Sequence, residues 1–439
     1  MITDFSKSDA HIAKAQRLIP GGAHTYSKGP DQSPALGPKV IARGSGSRVW
    51  DLDGNEYVDW GMGLGSVSLG HAYEPVLEAV RAELPKGSNF SCPAPIEVEL
   101  AEHLLGMLPG ADMVKFAKNG STVTTAAVKL ARAYTGRKLV AFCQDHGFFS
   151  YDDWYIGKKP TNAGVPEEVS ALTLTFKFND FPSAERLFQE NPGQVACLIL
   201  EPMEFDPPQD GFLHKLQDLC RREGALLIID EMITGFRLGW PGVHTALGLD
   251  PDLVTWGKGL ANGFSTCALT GKRPVMELGG IQHGKERVFL ISTTHGAETH
   301  SLTAALATLR ELKRTDSVQR VRETGRRLRE GLETRLRSAG LSEAITVKGD
   351  PAWQLVQFRN AEGTLCDGFK TLVFQEMAKR GVLFRGSFFP TVSHGEDDVA
   401  RTLAAFEGAF KVYREALTAG GYASFLTGPP VKPVFRRFN

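Results

Sequence analysis

From residue 113 onward the chain repeats one pattern. A short run of apolar residues without polar alternation is followed by a longer stretch whose apolar positions fall three or four apart. The runs are MVKFAK, KLVAFC, ACLILEP, ALLIIDE and LVTWGK; the stretches between them include TVTTAAVKLARAY, SAERLFQE and FLHKLQDLCRRE. A run without alternation is a strand covered on both faces, and a helix-period stretch is the element that covers it. Their repetition predicts a mostly parallel α/β sheet. Ahead of it, VWDLDGNEYVDW alternates around Asp53-Gly54 and predicts a β-hairpin, while PVLEAVRAEL and PIEVELAEHLLGML predict amphipathic helices. Residues 301–337 predict one or two long helices. After them WQLVQFR and VARTLAAFEGAFKVYREAL predict a separate, smaller α+β domain.

Three of the apolar runs end on polar residues that a buried strand has no structural need for. In open parallel sheets, ligands bind at the carboxyl ends of strands. Leu226 to Ile229 lead directly into Asp230 and Glu231. Asp230 is read as the group delivered to a ligand, against the alternative of a helix cap or a paired acid, and Glu231 as a structural neighbour. LVTWGKG ends on Lys258 between Gly257 and Gly259, two residues without side chains that let a ligand approach the amine closely. A lysine desolvated there is an amine nucleophile. FAKNGS runs into a predicted helix with Val123, Ala127, Leu130 and Tyr134 on one face and Gly136 as its stop. The free N–H groups at its start, near Asn119, Gly120 and Ser121, form an anion site.

Composition narrows the field. The chain has 439 residues, with 50 basic and 50 acidic side chains, which gives no surplus to draw nucleic acid or an anionic membrane. Six scattered cysteines without a CxxC pair read as reduced thiols, not a zinc site, and no metal is expected. The N-terminal residues are polar, and no run approaches the ~18–20 apolar residues that span a bilayer; a cytoplasmic location is expected. GGIQHGKE imitates P-loop spacing, but Glu286 stands where a hydroxyl should hold Mg²⁺, and there is neither GxSxG nor HExxH.

An amine nucleophile, a strand-end carboxylate and a phosphate cradle are together what pyridoxal phosphate requires. Here the sequence resembles a known family. DEMITGFR, HTALGLDPDL and GKGLANG are similar to the signature of class III aminotransferases, fold-type I pyridoxal-phosphate enzymes, and within them to the glutamate-1-semialdehyde aminomutase subgroup. IPGGAHTYSKG, WDLDGNEYVDW, GHAYEPV, KLARAYTGR, Glu201-Pro202 and SHGEDDVARTL extend the likeness over almost the whole chain. The resemblance implies a large pyridoxal-phosphate-binding α/β domain over 71–310 with a seven-stranded, mostly parallel sheet. It implies a small α+β domain from 311–439, joined by residues 1–70. Lys258 is implied as the Schiff-base lysine and proton shuttle, and Asp230 as partner of the pyridine nitrogen. Met232 would pack under the ring. Asn119, Gly120 and Ser121 would grip the phosphate, and Glu201 would border the cofactor. Thr293 would reach the phosphate in a neighbouring subunit of a homodimer with shared sites.

Departures from the family bear on the substrate. Asp145-His146-Gly147 stands where a tyrosine normally begins the segment, so His146 or Phe148 is left to stack on the ring. Lys28, in HTYSK, takes the place of an arginine that holds the substrate carboxylate. The late loop FRGSFFP carries Arg385 and no acid, where the aminomutase would have one. Phe148, Phe149, Trp154, Tyr155, Phe388 and Phe389 are candidates for a substrate pocket, with DDWYIG as a lid that includes Trp154. The reading is a transaminase that moves an amino group from a small-molecule donor to a keto or aldehyde acceptor; the alternative is an aminomutase.

Overall fold

The computed structural model describes residues 1–438, which divide into two compact units. Met1–Tyr73 and Thr315–Val434 form one; Glu74–Arg314, with the segment from Phe435 on, forms the other. The second boundary pair therefore differs from the expected 311–439 block, because the residues from Phe435 return to the larger unit.

The larger unit is built on a seven-stranded sheet. Its strands in chain order are β1 (Met113–Ala117), β2 (Leu139–Cys143), β3 (Thr173–Phe176), β4 (Val195–Leu200), β5 (Leu226–Asp230), β6 (Leu253–Trp256) and β7 (Cys267–Gly271). They lie in the order β1-β7-β6-β5-β4-β2-β3. Only β7 runs against its neighbours, β1 and β6; the other pairs are parallel. Successive side chains of β5 go to opposite cores: Ile228 packs with Val123, Ala127 and Leu130 of α1 (Gly120–Thr135), and Leu227 and Ile229 pack with Leu213, Leu216 and Leu219 of α2 (Phe212–Glu223). Two covered faces are why the run has no polar alternation.

Two strands, β3 and β7, lacked a sequence signal. β3 is a four-residue edge strand. β7 reverses direction after β6, so it needs no long covering helix between them to announce it. Tyr134, expected on the buried face of α1, is 45% exposed, while Gly136 closes the helix in the left-handed conformation at φ 69°. Among the described residues no helix is long and apolar enough to cross a membrane.

In the smaller unit the expected hairpin pairs Arg48–Asp51 with Glu56–Asp59, Val49 facing Tyr57. The Asp51 carboxylate ties the turn by accepting from the Asn55 N–H at 2.8 Å and the Tyr57 hydroxyl at 2.8 Å. A second sheet, of Ile345–Asp350, Trp353–Phe358 and Ser387–Phe388, packs its core with Leu328, Leu332 and Leu336 of the long helix Ser317–Ala339. That helix meets the sheet through Gly325, whose carbonyl accepts from Gln354 Nε2 at 2.9 Å. A Cβ on Gly325 would stand 1.8 Å from the Pro351 carbonyl oxygen. Gly325→Ala should therefore destabilise this unit by about 1–3 kcal/mol, the cost of overpacking. Urea unfolding measures this, with Gly421→Ala, which meets nothing within 4 Å, as the neutral control.

Candidate active site

β5 and β6 are parallel neighbours, with Asp230 in register with Thr255. Their carboxyl ends bring Asp230 and the turn carrying Lys258 to the same edge of the sheet. Asp230 is 1% exposed and accepts the Met232 N–H at 2.8 Å. Burial raises its pKa to about 6; that N–H and the nearby Lys258 charge oppose the rise. Lys258 is half-buried, with φ 41°, in a left-handed conformation that a residue with a Cβ adopts only when its surroundings hold it there. Gly257 leaves the space beside it to sulfur: a Cβ there would lie 2.5 Å from Met232 Sδ and 2.6 Å from Cys267 Sγ. A Cβ on Gly120, at the start of α1, would meet the same Met232 Sδ at 3.1 Å. Met232 thus links the turn of Lys258 to the helix start where an anion site was expected.

At that helix start Asn119 is the cap, its Oδ1 accepting from the Thr122 N–H at 2.9 Å. Ser121 is buried, and its Oγ accepts from the Tyr151 N–H at 3.1 Å, which leaves the hydroxyl hydrogen available to an anion. Thr124 holds the facing loop by donating to the Phe149 carbonyl at 2.7 Å.

Glu231 behaves as a neighbour, as read from the sequence. It is buried and accepts from both the N–H and Nδ1 of His244, each at 2.8 Å. Glu201, at the end of β4, is different. It is 3% exposed and its Oε2 has no hydrogen-bond partner among the described residues. Burial first, then the Glu204 and Asp230 carboxyls, push its pKa well above the ordinary carboxylate range. Glu204, whose Oε1 accepts the Gly147 N–H at 2.8 Å, is raised in the same way by burial. Lys258 is the nearby positive charge that opposes both shifts. The sequence reading missed Glu204, although it follows Glu201 by three residues; it missed Cys267 with β7.

His146 is buried, with Nδ1 accepting the Glu201 N–H at 3.0 Å and its ring 5.0 Å from that of Phe178. The proton therefore sits on Nε2, which has no partner among the described residues. Asp145, in the position of the family's tyrosine, turns away and accepts the Phe178 N–H at 2.8 Å.

Of the six aromatic pocket candidates, Phe148 alone is exposed, at 48%. Trp154 is 4% exposed, its Nε1–H donates to Thr125 at 2.8 Å, and it packs edge-on against Phe142. The segment Asp153–Ile156 is a short helix with its aromatics turned into the core, not a lid. Phe388 and Phe389 are buried in the smaller unit. That unit also holds Lys28, exposed on a turn, and Arg385, whose guanidinium donates to Ser33 Oγ at 2.6 Å. Thr293 is exposed in the loop before the helix Thr299–Arg314, beside His295, whose Nδ1 lies 3.3 Å from Glu298 Oε1.

Comparison with known proteins places this geometry in a group. The model of the family described as aminotransferase class-III matches residues 31–393. A glutamate-1-semialdehyde 2,1-aminomutase of Desulforamulus reducens is 32% identical, over 95% of this chain and 99% of its own length. Among solved structures, the pyridoxal-phosphate-bound FumI protein of Sphingopyxis sp. MTA144 is 27% identical, with a TM-score of 0.86, covering 95% of this chain and 99% of its own. An omega-transaminase of Sphaerobacter thermophilus is 26% identical, with a TM-score of 0.83, covering 93% of this chain and 98% of its own.

The buried His146 gives the site a pH signature. Burial lowers its pKa from 6.5 to about 3, so between those values the unfolded chain binds a proton that the folded chain refuses. Stability is thus unaffected above the upper value and falls as pH drops below it. At pH 5 this one ring costs about 2 kcal/mol. His146→Gln should flatten that share of the slope of thermal midpoint against pH. His394, pushed down to about 4 by burial in the other unit, should leave a residual slope.

Proposed function

This chain belongs to the class III aminotransferases, and from that premise we propose that it is a transaminase, moving an amino group from a small-molecule donor to a keto or aldehyde acceptor. Pyridoxal 5′-phosphate is the cofactor of the family, and the residues present suit it. The observation that carries the reading is a buried carboxylate, Asp230, and a half-buried lysine, Lys258, at the ends of adjacent parallel strands.

Bound, the cofactor supplies a reactive aldehyde and a protonated pyridine ring that draws electrons from the substrate. Asp230 keeps the pyridine nitrogen protonated; a cation against this carboxylate relieves the burial that otherwise raises its pKa. The N–H groups at the start of α1, with Asn119, Gly120 and Ser121, hold the phosphate. Met232 and either Phe148 or His146 would border the ring, with Glu201 nearby. Lys258 Nζ would hold the cofactor at rest, take the proton from the donor's Cα and, in the second half of the reaction, deliver a proton to the carbonyl carbon of the acceptor. Thr293 serves the site of a second copy in a homodimer, and Lys28 and Arg385 contribute to substrate recognition. The free cysteines fit a cytoplasmic enzyme.

An aminomutase remains the second reading, favoured by the name of the 32%-identical relative. Against it stands the segment FRGSFFP, which offers Arg385 and no acid.

The purified protein should be yellow, and borohydride should fix the chromophore to Lys258. Lys258→Ala should lose that covalent adduct; an adduct that persists on another residue refutes the assignment. Asp230→Asn should retain cofactor and lose on the order of 10²–10⁴ in turnover. A labelled donor turned over with and without added keto acid separates the two readings, since only transamination requires the acceptor.

A further inference from the structure

We propose that Phe435 and Phe148 form an aromatic wall on the substrate side of the Lys258 site, which selects amines and carbonyl compounds carrying a flat apolar group. The proposal rests on the aminotransferase reading and deepens it by naming a substrate class.

The backbone at Phe148 is fixed from both sides. Gly147 before it donates to Glu204 at 2.8 Å, and the carbonyl of Phe149 after it is held by Thr124 at 2.7 Å. Phe149 is 2% exposed, whereas Phe148 is 48% exposed. A phenyl ring held out of the core on a pinned backbone is unexplained by packing within the loop. A stacked neighbour comes from far along the chain: Phe435 lies 6.4 Å away, centroid to centroid, at an interplanar angle of 20°.

The pair is anchored next to the chemistry. Phe148 meets Tyr155 edge-on at 5.8 Å, and the Tyr155 hydroxyl donates to the Gly147 carbonyl at 2.6 Å. Lys159 places its ammonium 4.6 Å from the Tyr155 ring centroid and 5.8 Å from that of Phe435, so a cation holds the wall on its far side. Glu204, on the same loop contact, raises Glu201 beside Lys258. An apolar wall that abuts carboxyl groups favours a ring or flat alkyl group over a second carboxylate. Phe435 lies beyond residues 31–393, the stretch that the family model matches, and Phe148 within it.

The test uses two amine donors that differ in the flat group, 1-phenylethylamine and isopropylamine, on the cofactor-loaded full-length enzyme. Phe435→Ala should raise KM for 1-phenylethylamine about tenfold with kcat little changed, and leave isopropylamine within about twofold. Phe435→Tyr should restore the wild-type KM. Independently of turnover, acylation of Lys159, read by peptide mass spectrometry, should quicken several-fold in Phe435→Ala as the ring leaves the amine. Equal shifts for the two donors, no shift, or a change in oligomeric state with KM intact overturns the wall, as does a wild-type enzyme that accepts other donors but not 1-phenylethylamine. A cofactor-loaded wild type that accepts no donor at all overturns the aminotransferase reading instead. The wall's substrate role then falls with it, and faster Lys159 labelling reports only that the segment docks.

Discussion

The structure turns on the cost of keeping one carboxylate out of water. Asp230 sits at the end of a strand covered on both faces, where burial favours its neutral form. A charge in such a place persists only if something positive meets it. The nearest elements pack closely around it: Gly257 and Gly120 leave their side-chain space to Met232, and Lys258 is held in a strained backbone conformation on the adjoining turn. Glu201 and Glu204, one without a partner for Oε2 and both pushed toward their neutral forms, relax the repulsion that three ionised acids would impose. A positive charge brought to this edge of the sheet would offset the burial of these acids.

Much of this was legible in the chain because the same physics writes both levels. Strands buried on two faces cannot alternate, so the five apolar runs were visible, and an acid or a lysine at the end of such a run stood out against it. What stayed hidden depended on direction or distance. β7 carried no such mark because an antiparallel return needs no covering helix. The contacts of Trp154 were hidden because its partner Thr125 lies 29 residues earlier in the chain. Glu204 carries no periodic signal at all; its importance arises only when Gly147, 57 residues earlier, folds beside it.

The site's specificity lies in a different layer from its chemistry. The carboxylate, lysine and helix start sit at strand and helix ends of one sheet. The exposed Phe148, the carboxylate at Asp145 and the late-arriving Phe435 lie in segments outside the strands. A sheet edge supplies a rigid place for reactive groups, while loops with few covering contacts are free to differ without disturbing the strands beneath.

The division of the chain has a consequence for its synthesis. Residues 1–73 emerge first but belong with residues 315–434, so they wait through the making of the whole intervening unit before their partners leave the ribosome. The sheet of the larger unit, by contrast, is a continuous stretch able to collapse as it emerges. Its piece from Phe435 arrives only after the other unit's segment has passed. The scaffold and Phe148 are therefore translated before Phe435 completes the wall, and a nascent chain has its reactive groups made before the last residue that chooses what they act on.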